Sequence, residues 1–325
     1  MKDSVPPVKD VTVIGSGNMG SSIAEVMAFN GCQVTLIDID EKLLERGRKN
    51  IESVLQSNFK FTEGRAEKEV SRIESLGIIL TEEQKSAIRK KFPKGDANSL
   101  TNSVMNKVRT TTDYSEAANS EFVFEAVFEK KEVKRELFRR LSGILPEKTI
   151  LASNTSSLSI TEIAGSYSKP ENTAIAHFFN PPYTLPLVEI VPGIRTSEST
   201  VEKLISFISG LRNHRTGMVP IRVRESPGFV VNRILVPMIN EAIALYGEGI
   251  ASKKDIDRAM KLGAGMPMGP LELADMVGLD ILLDVAEVFV KDFGDQKYRA
   301  PYNLKRMVAA GDNGRKSGKG FYEYR

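Results

Sequence analysis

The chain predicts an α/β fold, a doubly wound, mostly parallel sheet followed by an all-α C-terminal domain. Three observations carry this. A β-branched run at residues 11–14 ends in Gly15-Ser16-Gly17-Asn18-Met19-Gly20, which opens a helical stretch, and a second run ends in Asp38. Apolar strand-like runs then alternate with helical ones as far as Val223, the pattern of a parallel sheet wound on both faces. After Ser226-Pro227-Gly228 nearly everything to about Met307 has helical periodicity.

In order, residues 11–14 read as a strand, 19–30 as a helix closed by Gly31, and 33–38 as the next strand. That is one βαβ unit. Residues 41–57 follow as a helix, and 58–107 form a polar, largely helical insertion. Within it Thr81 with Gln84 three residues on reads as a capped helix start. Pro93-Lys94-Gly95 reads as a break before a helix running up to Lys107. Strands are predicted at 122–127, 149–152, 173–178, 187–191 and 218–223, with helices at 133–141 and 199–209. The C-terminal helices fall at 229–247, 252–262, 269–277, 279–292 and 302–310. The domains are therefore set at 1–225 and 226–325.

At 325 residues the chain can build two substantial cores. Apolar residues at 41% and charged ones at 27% are the proportions of a water-soluble protein. A net charge of +3 without a basic tract argues against nucleic acid as partner. No apolar run is long enough to span a membrane, and the N-terminus lacks the apolar core of a signal peptide, so the expectation is cytoplasmic. The single cysteine, Cys32, cannot form an internal disulfide and reads as a small buried residue.

Each glycine of the loop has a physical task. Gly15 permits a tight turn, Gly17 lets backbone approach a pyrophosphate, and Gly20 allows a helix to pack closely on a strand. Asn18 and Met19 complete the loop at a helix N-terminus, which attracts phosphate. Asp38 suits ribose hydroxyls and repels a 2′-phosphate, favouring NAD over NADP, although Lys42 and Arg46 stand nearby. A Rossmann-type dinucleotide site follows, and nothing suggests a flavin.

Only two histidines occur, His177 and His214. His177 lies in a β-like run, and Glu189 sits on the next one. An imidazole backed by a carboxylate is a general acid/base pair. The bland alternative for His177 is a satisfied core residue. His214, in the polar run Arg212-Asn213-His214-Arg215, reads as a solvated turn residue. Ser153-Asn154-Thr155-Ser156 follows a strand at its carboxyl end, where such sheets bind ligands. Ser156 and Asn232 also fit a helix cap and a turn residue, and Glu129 with Lys134 an exposed helix-face pair. The Phe and Met residues of 229–247 and 260–276 read as core and subunit contact.

Taken together these runs resemble the L-3-hydroxyacyl-CoA dehydrogenase family. The resemblance is carried by the glycine loop, Glu125-Ala126-Val127-Phe128-Glu129, Ser153 to Leu158, His177-Phe178-Phe179-Asn180-Pro181, Leu187-Val188-Glu189 and Ser226 to Arg233. It continues through Gly269 to Asp275, Gly278-Leu279-Asp280 and Arg315 to Tyr322. It implies that His177 is the general acid/base, that Glu189 supports it, and that Ser156 and Asn232 hydrogen-bond substrate. It further implies that Asn180, Glu129, Lys134 and Lys316 contact NAD, with Ser156 beside it, that no metal is needed, and that the chain works as a homodimer. The substrate implied is a short-chain acyl-CoA such as 3-hydroxybutyryl-CoA, a reaction shared by fatty-acid degradation and butyrate metabolism. Met260, Met266, Met268 and Met276 suit a subunit interface. Asn18 and Lys319 are small departures from the family pattern. The insertion is longer than the family's helical hairpin, and its Lys60, Arg65, Lys68, Arg72, Arg89, Lys90 and Lys91 could meet CoA phosphates. Two other functions fit the same motifs: a dehydrogenase for a 3-hydroxy acid without CoA, and a dinucleotide-binding protein without turnover.

Overall fold

Apolar residues filling both faces of a strand need cover above and below, and helices supply it here. The computed structural model describes residues 9–92 and 96–324. They fall into two compact units divided between Arg224 and Glu225.

In the first unit one sheet contains β1 (Asp10–Ile14), β2 (Gln33–Ile37), β3 (Val108–Thr111), β4 (Phe122–Glu125), β5 (Ile150–Ser153), β6 (Thr173–Phe178), β7 (Leu187–Pro192) and β8 (Val219–Arg222). Their order is β3-β2-β1-β4-β5-β6-β7-β8. Every neighbouring pair is parallel except β6 and β7. No helix lies between those two, and a short connection can only return the chain antiparallel. The helices are α1 (Asn18–Phe29), α2 (Glu41–Thr62), α3 (Arg65–Glu74), α4 (Glu82–Arg89), α5 (Ala97–Met105), α6 (Lys131–Leu141), α7 (Ile160–Ala164) and α8 (Glu198–Ser209). The core joins Val13, Leu36, Phe124, Ala176 and Ile190 of the sheet to Ile23 and Met27 of α1 and Leu204 and Phe207 of α8. Cys32 is buried in it.

The strand order reverses between β1 and β4, the place where doubly wound sheets open a ligand crevice. The insertion is α3, α4 and α5 together with the tail of α2, which runs five residues beyond its predicted end. Thr81 and Gln84 form the predicted capping box of α4. The predicted break at Pro93-Lys94-Gly95 lies outside the described residues. The sequence missed β3, a polar edge strand, and α7, a single turn capped by Ser159.

His214 corrects the sequence reading. Residues 211–218 fold back on themselves, with Met218 N–H donating to the Leu211 carbonyl. This hairpin covers the imidazole, whose side chain is 7% exposed and whose Nε2 lies 2.7 Å from Oε1 of the buried Glu25.

The second unit contains α9 (Val231–Gly247), α10 (Lys253–Gly263), α11 (Pro270–Val277), α12 (Leu279–Phe293) and α13 (Tyr302–Ala309). Val236, Ile239, Ile243, Leu271, Leu282, Phe289, Leu304 and Phe321 form its core, and the four methionines of 260–276 lie outside that cluster. Two buried aspartates hold the C-terminal segment. Asp275 accepts from the amides of Phe321 and Tyr322 and from the Tyr324 hydroxyl. Asp257 accepts from the amides of Leu271 and Glu272 and from the Tyr322 hydroxyl. A Cβ on Gly320 would stand 2.0 Å from an Asp275 oxygen, so only glycine fits there.

Candidate active site

The glycine loop leaves β1 and turns into α1. Gly15 has φ +101°, and a Cβ there would meet the Ala126 carbonyl oxygen at 2.5 Å. On Gly20 a Cβ would meet the Gly15 oxygen at 1.7 Å, so α1 rests directly on the turn. At Gly17 a Cβ would meet nothing within 4 Å. Its freedom from a side chain opens space where a ligand can approach backbone. Gly17 caps α1 without a side-chain bond, so the first-turn amides and the positive dipole end face that space.

Asp38, just past β2, is fixed by its neighbours. Its Oδ2 accepts from the Ser16 amide at 2.6 Å and the Ser16 hydroxyl at 2.7 Å, and its Oδ1 from the Ile39 amide. A cavity of about 800 Å³ runs past Gly15, Gly17, Asp38, Ile39, Tyr114 and Val133. An unblocked helix terminus, a glycine-lined floor and a held carboxylate fit a dinucleotide. Gly47 belongs to this construction and was missed. A Cβ there would stand 2.7 Å from the Ser16 oxygen. The available signal was a glycine on the same helical face as Leu44, Ile51 and Leu55, where it costs helix stability unless something packs close.

A second construction holds the loop after β5. Lys134 of α6 is 1% exposed, and its Nζ lies 2.6 Å from the fully buried Glu125 and 3.3 Å from Glu129. The exposed helix-face reading of Glu129 and Lys134 is therefore wrong for Lys134. It shares a helical face with Leu137, Phe138 and Leu141, all buried, and that periodicity turns it inward. Glu125 also accepts from the Ser153 hydroxyl at 2.5 Å. Glu129 Oε1 accepts from the Thr155 hydroxyl, the Ser156 amide and the Ser157 amide and hydroxyl. Burial raises the Glu129 pKa, but the charge of Lys134 and the bonds from Thr155 and Ser156 outweigh it and hold the group below its ordinary value. Ser156 is half-buried and its backbone is locked by this carboxylate. Asn154, named in the sequence only as part of that run and given no role of its own, ties the same loop to β6 by accepting from the Phe178 amide at 2.9 Å.

β6 and β7 place His177 directly opposite Glu189. Opposed residues of an antiparallel pair share a face, and Nδ1 of His177 lies 2.9 Å from Oε2 of Glu189. His177 is 7% exposed and Glu189 fully buried. Asn180 follows shortly after His177, exposed, before a cis bond to Pro181.

The first unit thus carries the glycine loop, Asp38, Glu129, Lys134, Ser156, His177, Asn180 and Glu189. Asn232 and Lys316 belong to the second. Asn232 stands half-buried in the first turn of α9. Lys316 pairs with Asp280 at the start of α12. In the insertion Arg72 pairs with Glu69 and Arg89 with Glu67, while Arg65 stacks on Phe61.

Comparison with known proteins matches residues 10–79 and 79–226 to the 3-hydroxyacyl-CoA dehydrogenase NAD binding domain, and residues 228–324 to the C-terminal domain of the same family. A 3-hydroxybutyryl-CoA dehydrogenase of Clostridioides difficile is 39% identical over 97% of this chain and 99% of its own. The human mitochondrial hydroxyacyl-coenzyme A dehydrogenase is 38% identical over 98% of this chain and 92% of its own. The crystal structure of (S)-3-hydroxybutyryl-CoA dehydrogenase from Ralstonia eutropha superposes with a TM-score of 0.80 at 36% identity, covering 98% of this chain and all of that one.

Proposed function

The chain belongs to the 3-hydroxyacyl-CoA dehydrogenase family, and from that premise we propose that it interconverts short-chain L-3-hydroxyacyl-CoA and 3-ketoacyl-CoA with NAD, His177 acting as acid/base. The opposed His177–Glu189 pair carries this reading. With Nδ1 turned to Glu189, the basic lone pair sits on Nε2. In oxidation Nε2 takes the proton of the 3-hydroxyl, and in reduction it returns one. Glu189 keeps the ring oriented and offsets the positive charge that develops on it. NAD supplies the hydride acceptor when bound. The glycine loop and α1 terminus hold its phosphates, Asp38 the adenosine ribose, and Asn180 and Glu129 the nicotinamide side. Lys134 reaches the cofactor only through Glu129, which it charges and fixes. Ser156 is assigned to hydrogen-bond the substrate, and the resemblance assigns Asn232 to the substrate as well and Lys316, which pairs with Asp280, to the cofactor. Lys60 and Lys68 have no acid partner among the described residues and suit CoA phosphates.

The test is NADH consumption with acetoacetyl-CoA against free acetoacetate. The CoA thioester is expected to turn over and the free acid not; the reverse result, or cofactor binding without turnover on any acyl-CoA, overturns the proposal. Asp38 sets the cofactor. Like charges forced together cost several kcal/mol, so Asp38→Ala is expected to shrink the NADH-over-NADPH preference in kcat/KM by about tenfold or more. An unchanged ratio would remove Asp38 from that role.

Exposed Ile234, Ile250, Ile281 and Met276 on the second unit support pairing with a second copy. No helix among the described residues is long and apolar enough to cross a membrane, and a cytoplasmic location fits this.

A further inference from the structure

The reaction makes no use of the buried pair formed by Glu25 and His214. Glu25 lies in the middle of α1 and is 1% exposed. Phe29, one helical turn on, and Tyr183 flank the imidazole, with ring centroids 5.0 and 5.6 Å away. The His214 amide donates to the Tyr183 carbonyl at 3.1 Å. Next along α1, Asn30 donates to the Arg212 carbonyl and accepts from the Arg212 amide. The hairpin is thus fastened to α1 on one side and to Tyr183 on the other. Tyr183 sits in a tight turn, where the amides of Thr184 and Leu185 both donate to the Pro181 carbonyl. Asn180 immediately precedes that turn.

Packing alone does not call for a carboxylate here. Glu25 Oε2 has no hydrogen-bond partner among the described residues. Burial pushes the Glu25 carboxyl above its ordinary value, against the hydrogen bond and charge of His214. A buried ionisable pair gains little stability over apolar side chains of the same size, and its best-attested use is to fix one arrangement among several. The arrangement fixed here joins the helix that starts at the glycine loop to the segment that starts at Asn180.

We propose that Glu25 and His214 form a latch that positions residues 180–185 against α1 and so sets the affinity for NAD(H) through Asn180. The proposal rests on the assignment of Asn180 to the nicotinamide side. Both are positioning residues. Loosening the latch weakens cofactor binding equally in the ground and transition states, which raises KM for NADH and leaves kcat at saturation alone.

The experiment compares wild type, His214→Gln, Glu25→Gln, the Glu25→Gln/His214→Gln double variant and Asn180→Ala. NADH dissociation constants come from fluorescence titration, and kcat and KM from turnover of acetoacetyl-CoA. His214→Gln removes the imidazole that meets the buried Glu25 carboxyl and is expected to raise the NADH dissociation constant about fivefold or more, with kcat at saturating NADH little changed. Glu25→Gln is expected to shift it in the same direction by less. The double variant, which leaves no ionisable group in the pair, is expected to recover most of the affinity. A His214→Gln protein that melts lower but binds NADH as the wild type does overturns the latch, as does a fall in kcat with KM unchanged. A double variant no tighter than His214→Gln assigns the effect to lost packing and also overturns it. Asn180→Ala with wild-type affinity removes both the Asn180 assignment and the latch's route. Weakened Asn180→Ala beside unweakened His214→Gln overturns the latch alone.

Discussion

Replacing His177 with alanine is expected to lower kcat for acetoacetyl-CoA reduction by about 10²–10⁴-fold, the usual share of a positioned acid/base. NADH binding should change little beside that loss, while the melting temperature is expected to fall, because the fully buried Glu189 loses its imidazole partner. The reason is local. His177 projects from a strand buried along its whole length, yet it is the only titratable side chain on that strand. Glu189, 2.9 Å from Nδ1, is expected to orient the ring and to offset the charge that develops on it. Alanine therefore removes the proposed proton carrier while the ladder of β6 and β7 stays hydrogen-bonded. Glu189→Gln should lower kcat by less, because an amide can still accept from Nδ1 but no longer offsets the charge developing on the ring. Single-turnover reduction separates the outcomes. A His177→Ala rate within tenfold of wild type would assign the chemistry to another group.

The largest stability effect is expected at Lys134. Lys134→Met should destabilise the protein by about 3–5 kcal/mol, read from the urea unfolding midpoint, because it leaves Glu125 buried and charged without its cation. Methionine fills nearly the same volume, so little of the loss can come from a cavity. The double variant Glu125→Gln/Lys134→Met should recover much of it, since apolar or neutral replacements of a buried pair are often close to neutral. Activity reports on the same lesion. Glu129 loses the charge that holds it ionised, and with it the bonds that fix the Ser156 amide. The single variant is expected to bind substrate more weakly even where it remains folded. A loss under about 1 kcal/mol would mean that Glu125 takes up a proton or reaches water on its own, and the pair would not be the support described.

Much of the fold was legible because its elements repeat a simple period. Central strands such as β4 and β6 are apolar on both faces and flanked by turn residues, and the glycine loop had only one conformation that explained all three glycines. His177 and Glu189 were legible as a pair because their connection is too short to cross over, which forces adjacency. The less legible features are those in which polar residues face inward. Lys134 and Glu25 look like solvent-facing helix residues until the helical period is followed through to their apolar neighbours. His214 looked solvated because the run around it is polar, but its backbone polar groups are satisfied within the hairpin and with Asn30, which lets the ring be covered. β3 escaped because Val108–Thr111 has a single buried residue and relies on β2 for its pairing.

The opposed register of β6 and β7 has a bearing on which changes of chain length the protein can absorb. Side chains alternate between faces of a strand, so a one-residue slip would send Glu189 to the opposite side of the sheet from His177. The ladder that prevents this is anchored by Ile175, Ala176, Val188 and Ile190, all fully buried. Residues 179–186 stand outside the ladder. Additions or deletions there are expected to leave His177 opposite Glu189 and to act on the loop proposed to face the cofactor, whereas a single insertion within either strand separates the pair. The sheet thus separates a stretch whose length is free to change from one whose length the His177–Glu189 register holds constant.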